Sequence, residues 1–160
     1  MEFKSMLRRV AGAGIATGFV ATLLVGGAQG AQAATPIQIV NANTGTTCLT
    51  LKTIQDFKGA VTTATCDKDN PSMVWVVANG IIRNPKSGHC LDADGTNVYT
   101  FPCAKPGEVN AWQLWNTTSG DKKWITHRTT QKDANSSGAN NERVYLKPRE
   151  QASRWFWRTV

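Results

Sequence analysis

The chain has 160 residues, with 18 Lys and Arg against 11 Asp and Glu, and four Cys. That length allows one ordinary domain or two very small ones. Charged residues are only 18%, too few for a disordered basic tail, and six Trp against two Tyr demand a core, an aromatic binding surface, or both. Two His and no His/Cys cluster leave little for a metal site, and the composition argues against a P-loop enzyme, a zinc finger or a coiled coil.

Residues 1–33 read as an export signal. Lys4, Arg8 and Arg9 form a positive head, residues 11–27 are charge-free and apolar, and Ala31-Gln32-Ala33 is a small-x-small cleavage site. The apolar run is short and glycine-rich for a membrane span, which needs roughly 20 residues. The short charged head and alanine-rich end are of a bacterial, Gram-positive type. Residues 34–160 are then expected outside the cell, with no membrane span. All four cysteines fall in that part, where an oxidising compartment favours disulfides. Spacing points to two local pairs, Cys48–Cys66 and Cys90–Cys103, and by itself leaves the other connectivities open. With no Cys-x-x-Cys pair, zinc is disfavoured.

The predicted elements are short strands. Segments 37–40, 74–78, 80–83, 98–101 and 155–158 are β-branched or aromatic and bounded by Gly, Pro, Asn or Asp. Asn79-Gly80 and Asp94-Gly95 are turn dipeptides. Five prolines, Pro71, Pro85, Pro102, Pro106 and Pro148, punctuate the chain at loop spacing. No segment holds an amphipathic helical period over three turns. The expectation is an all-β domain.

A repeat of about 40 residues runs through it. Trp75, Trp115 and Trp157 close similar phrases, and Cys48-Leu49 recurs as Cys90-Leu91. Three units, about 34–76, 77–116 and 117–160, fill the chain after the export signal. The stretch Gly80-Ile81-Ile82-Arg83-Asn84, Ser87-Gly88-His89-Cys90-Leu91-Asp92, Val98-Tyr99-Thr100-Phe101-Pro102-Cys103 and Gln113-Leu114-Trp115 resembles one repeat of the ricin-type lectins. That resemblance implies a β-trefoil of three repeats and twelve strands. One repeat cannot bury its apolar face alone; three close a small barrel. Trp75, Trp115 and Trp157 are expected as its core.

The resemblance also implies where a sugar would sit. An aromatic ring covers the apolar sugar face, and a carboxylate and amide take its hydroxyls. In the middle unit those places hold Asp92, Phe101 and Gln113. Tyr99 shares the strand face of Phe101, because side chains alternate. Trp112 stands where galactose-binding members carry Asn, and Asn110 lies near at a different offset. The first unit has Thr50, Ala64 and Met73 at the same places and is expected to be structural. In the third, Asp133 aligns with the turn aspartate, and Tyr145 or Trp155 would be the aromatic.

Net charge is concentrated in the last unit. From Thr117 onward nine Lys and Arg face four Asp and Glu, whereas the two earlier units are each balanced. Such asymmetry fits an anionic polymer or a secreted protein partner, and disfavours nucleic acid for an exported chain without a binding motif. His89 and His127 lack partners at any nucleophile spacing, so no catalytic residue is assigned. The reading is a non-catalytic carbohydrate-binding protein without a cofactor. The alternative is a trefoil protein-interaction module, either a protease inhibitor or a subunit of a secreted complex.

Overall fold

The computed structural model describes residues 34–160; the expected export signal lies outside the described residues. Twelve strands succeed one another in chain order. They are β1 (Ile37–Asn41), β2 (Thr47–Gln55), β3 (Lys58–Thr65), β4 (Val74–Ala78), β5 (Ile81–Arg83) and β6 (His89–Ala93). Then come β7 (Val98–Pro102), β8 (Trp115–Thr117), β9 (Ile125–His127), β10 (Asp133–Asn135), β11 (Tyr145–Lys147) and β12 (Trp155–Thr159). The five predicted segments coincide with β1, β4, β5, β7 and β12, and Asn79-Gly80 makes the β4–β5 turn, with φ of 51° and 80°.

Six strands form a barrel. Strand β1 pairs antiparallel with both β4 and β12, β4 pairs with β5, and β8 with β9. Two backbone joints complete the circle. Trp115 N–H donates to Gly80 O at 2.8 Å, and Lys123 and Trp155 exchange both N–H···O bonds. The other six strands form three hairpins, β2–β3, β6–β7 and β10–β11. The hairpins meet at one valine each. Val98 N–H donates to Val144 O, and Val144 N–H to Val61 O.

The core repeats three times. Trp75 Nε1 donates to Leu49 O at 3.0 Å, Trp115 Nε1 to Leu91 O at 2.9 Å, and Trp155 Nε1 to Ala134 O at 3.1 Å. All three indoles are fully buried, against Ile39, Leu49, Ile82, Leu91 and Ile125. A buried indole N–H without an acceptor would be costly, so each bond fixes the ring against the first strand of its own hairpin. The third core tryptophan is therefore Trp155. Trp157, two residues further along β12, is half-buried and packs on the core edge, as Val77 does two residues after Trp75. The spacing of the buried tryptophans is a uniform 40 residues.

Two disulfides, Cys48–Cys66 and Cys90–Cys103, each tie the first strand of a hairpin to the residue just beyond the second. In the third repeat register places Asp133 and Arg149 at those positions, since Cys48 faces Ala64, Cys90 faces Phe101 and Asp133 faces Lys147. Arg149 Nε binds Asp133 Oδ2 at 3.0 Å, and Arg149 Nη2 binds Thr126 Oγ1 at 3.0 Å, which also hydrogen-bonds Asp133. An ion pair thus stands in the place of the third disulfide. Asp133 is not the turn aspartate of its repeat.

Trp155→Ala is expected to cost about 3–5 kcal/mol in chemical denaturation, as for a buried aromatic. Trp157→Ala is expected to cost distinctly less. Equal costs would contradict the assignment of the core.

Candidate functional site

The site is built on the β6–β7 hairpin. Asp92 faces Tyr99 across the ladder, and Cys90 faces Phe101. Because side chains alternate, Asp92, Tyr99 and Phe101 all leave on one face. They line a cleft of about 340 Å³ with Asn110, Trp112, Lys58 and Asp94. Five of the six residues that the sequence assigns to the ligand, Asp92, Tyr99, Phe101, Asn110 and Trp112, come together there.

Gln113, the sixth, lies beneath it and is fully buried. Its Nε2 donates to Asp92 Oδ2 at 3.0 Å and to Pro102 O at 2.9 Å, and its Oε1 accepts from Ala104 N–H at 3.0 Å. Every polar group of the amide is therefore used inside the protein. Asp92 also accepts from Ala93 N–H at 2.7 Å and from Asn110 Nδ2 at 3.4 Å. Asn110 holds a second post, because its Oδ1 caps the single 3-10 turn Ala111–Gln113 by accepting from Trp112 N–H at 3.0 Å. Asn70 makes the same cap at Pro71–Met73 in the first repeat. The different offset of Asn110 is that of a cap, and the cap touches the carboxylate.

Burial pushes the Asp92 carboxyl above its ordinary value, and the bonds from Gln113 and Ala93 pull part of the way back. Burial, then the charge of Asp92, pushes the Tyr99 phenol up to about 12. Lys58 Nζ sits 4.6 Å from the Tyr99 ring centroid and covers one of its faces. Asp94 is held below its usual value, chiefly by Asn97 N–H, and closes the Asp94-Gly95 turn.

The aromatic wall has a hidden support. The Trp112 ring stacks on His127 with centroids 5.5 Å apart and 21° between planes. His127 in turn leans on core Trp115 at 5.0 Å. His127 is fully buried, and burial lowers its pKa, which favours the neutral imidazole. It lies 3.2 Å from Trp112 O and 3.0 Å from Thr130 Oγ1. The sequence alone offers no partner for His127. Its signal is its spacing: Asn41, Asn84 and His127 lie at the same place in successive repeats, each accepting from a backbone N–H four residues on. Trp112 keeps one face in contact and the rest open, at 42% exposure.

The other repeats do not reproduce this arrangement. The residue after each indole-accepting carbonyl is Thr50, Asp92 or Asn135. At the strand position equivalent to Phe101 the first and third repeats carry Ala64 and Lys147. In the third repeat Ser153 Oγ donates to Asn135 Oδ1 at 3.1 Å, a short version of the Gln113–Asp92 bond without a carboxylate. Trp155 is core rather than ligand aromatic, and Tyr145 carries Lys147 near its ring, 5.6 Å from the centroid. Among the described residues no group of three or more His, Cys, Asp or Glu could hold a metal.

Gln113→Ala is expected to strand Ala104 N–H and Pro102 C=O, costing about 1–3 kcal/mol in denaturant titration. An unchanged midpoint would contradict the buried, fully bonded role of this amide.

Residues 35–157 match the family model described as the ricin-type beta-trefoil lectin domain. A search of curated proteins finds no match. Among solved structures the chain is similar to the designed three-fold symmetric protein ThreeFoil, with a TM-score of 0.65 and 12% identity over 78% of this chain and 99% of that one. It is similar to the Vibrio vulnificus hemolysin/cytolysin beta-trefoil lectin, solved with N-acetyl-D-lactosamine bound (TM-score 0.62, 20% identity, 79% and 96% covered). It is also similar to the C-half of the earthworm R-type lectin, solved with GalNAc (TM-score 0.63, 14% identity, 79% and 99% covered). Three indole-locked repeats, twelve strands and a match over nearly all the described residues give one conclusion: the chain belongs to the ricin-type β-trefoil lectin domain family.

Proposed function

We propose that the protein is a non-catalytic carbohydrate-binding module whose principal sugar site is the cleft of the middle repeat. The observation that carries this reading is Asp92. A buried carboxylate, aligned by Gln113 and Asn110, faces a cleft walled by Phe101 and Trp112. Its remaining lone pairs accept sugar hydroxyls, while the rings cover the apolar sugar face. Gln113 acts as a positioning residue. Asn110 both caps its turn and stands beside the carboxylate, and Tyr99 offers its hydroxyl because Lys58 covers its ring. The family and the sugar-bound lectins it resembles support carbohydrate as the ligand class. Two disulfides fit the oxidising exterior expected from residues 1–33, and among the described residues no helix is long and apolar enough to cross a membrane.

Wild type on a printed glycan array is expected to bind a defined set of glycans, and Asp92→Ala and Phe101→Ala to lose them with the fold intact. Binding should also fade in acid. Because burial raises the Asp92 pKa, the carboxylate protonates at a higher pH than an ordinary aspartate as pH falls. The same raised pKa favours the protonated folded state, so this group does not loosen the fold in acid. Titration between about pH 7 and pH 4 checks this: affinity lost while near-ultraviolet dichroism holds supports the reading, and pH-independent affinity opposes it.

A second mode at the third repeat is favoured by its layered cations and rings. Arg149 and Arg154 both lie over the Trp124 ring, with centroid distances of 5.6 and 5.0 Å, Lys123 lies over Trp157, and Arg158 over Phe156. Among the described residues Arg149 is the one cation of this repeat in an ion pair. These cations suit an anionic wall polymer. Retention there is expected to fall as the screening length drops from ~10 Å at 0.1 M salt to ~3 Å at 1 M, and to be halved or more by Arg154→Ala with Arg158→Ala. Salt-independent retention would place it elsewhere.

A further inference from the structure

Beyond the Asp92 cleft lies a second hollow of about 480 Å³, and the two share Lys58, Asp94 and Tyr99 as lining. The two adjoin at the Tyr99 ring, which carries the Lys58 ammonium on its face. The floor of the second hollow is apolar and comes from all three repeats: Val61, Val98 and Val144. Its rim is polar and mixed in character: Thr53, Gln55 and Asp56 from the first repeat, Asn97 from the second and Arg143 from the third. Arg143 is fixed there by its backbone bridge to Thr62. An apolar floor under a rim of both donors and acceptors matches a sugar ring, which has C–H faces and hydroxyl edges.

The first repeat explains why the hollow exists. It lacks a ligand constellation of its own, with Thr50, Ala64 and Met73 at the decisive places. Yet its hairpin is the longest, nine and eight residues in β2 and β3 against five and five in β6 and β7. A bulge between Leu51 and Ile54 extends it, and Asp56 and Phe57 turn it at φ of 47° and 68°. Two successive non-glycine residues at positive φ are strained, and such strain persists where surroundings or function require it. Gly59 allows β3 to close on β7: a Cβ there would lie 2.1 Å from Thr100 Oγ1 and 2.4 Å from Leu51 Cδ1. The overhanging hairpin therefore walls the hollow and delivers Lys58 to the junction.

We propose that the second hollow is a further subsite, so that the protein takes an oligosaccharide with one ring over Asp92 and the next beyond Tyr99. This rests on the sugar-binding reading of the Asp92 cleft. The first repeat then serves as a wall of the middle repeat's site rather than as a site itself.

The test titrates the strongest-binding oligosaccharide from the glycan array, and each of its one-ring truncation products, against wild type and two variants. Wild type is expected to hold the oligosaccharide at least about tenfold tighter than its best single ring, a difference of about 1.4 kcal/mol. Gln55→Ala with Arg143→Ala, both at exposed positions, should bring the oligosaccharide down to single-ring affinity and leave the single ring unchanged. Asp92→Ala should abolish both. Equal wild-type affinity for one ring and several overturns this proposal alone, as does a double variant that weakens single-ring binding equally. An array on which nothing binds overturns the sugar-binding reading, and this proposal with it.

Discussion

Each repeat closes when a tryptophan indole N–H reaches the backbone carbonyl of its own hairpin. Trp75 reaches Leu49, Trp115 reaches Leu91, and Trp155 reaches Ala134. The bond joins barrel to hairpin inside a dry core, where it has no competitor from water. It also sets the direction of the neighbouring side chain. The residue after the accepting carbonyl must turn its side chain away from the core, onto the face beside the turn that precedes the tryptophan. In the middle repeat that residue is Asp92, and the turn brings Asn110, Trp112 and Gln113 to it. The site is thus a consequence of the core bond: Asp92 stands one residue beyond its acceptor, and Gln113 two residues before its donor.

From that common frame the repeats have diverged in chemistry without losing geometry. The hairpin tie is a disulfide twice and the Asp133–Arg149 ion pair once. The place two residues before Trp75, Trp115 and Trp155 holds Met73, Gln113 and Ser153, of which Gln113 alone reaches a carboxylate. The turn position Asn41, Asn84 or His127 shows the same economy. In the third repeat the His127 carbonyl keeps the backbone role, while its ring props Trp112 of the neighbouring repeat. The proposed middle-repeat site is therefore assembled from three repeats: Lys58 comes from the first and His127 from the third.

Much of this architecture is legible in the amino-acid order. Cysteine spacing and the Cys90-Leu91-Asp92 phrase carry the trefoil, the disulfides and the middle hairpin. Five residues of the cleft come from strand alternation and the resemblance. The third repeat is less legible, because its phrase lacks cysteines and ends in Trp155-Phe156-Trp157. Both tryptophans point to one side of β12, so period two cannot choose between them; the uniform 40-residue spacing favours Trp155. Asp133 resembles a turn aspartate, yet it sits in the first cysteine's place, one residue before the indole acceptor. Gln113 has a side chain of the type that suits sugar hydroxyls, which points to a ligand contact. Its burial and three internal hydrogen bonds, which no local pattern announces, favour the role of a support in the proposed site.

The central claim is that a glycan enters the cleft above Asp92. Proton–nitrogen correlation spectra test it most directly, because the indole and side-chain amide groups report separately. On titration with an array-positive glycan, the Trp112 indole and the Asn110 and Gln113 amides should shift together, saturating at one concentration. The core indoles of Trp75 and Trp155 should stay in place. Shifts confined to Trp124 and Trp157, with Trp112, Asn110 and Gln113 silent, would contradict the account and move ligand binding to the basic face of the third repeat.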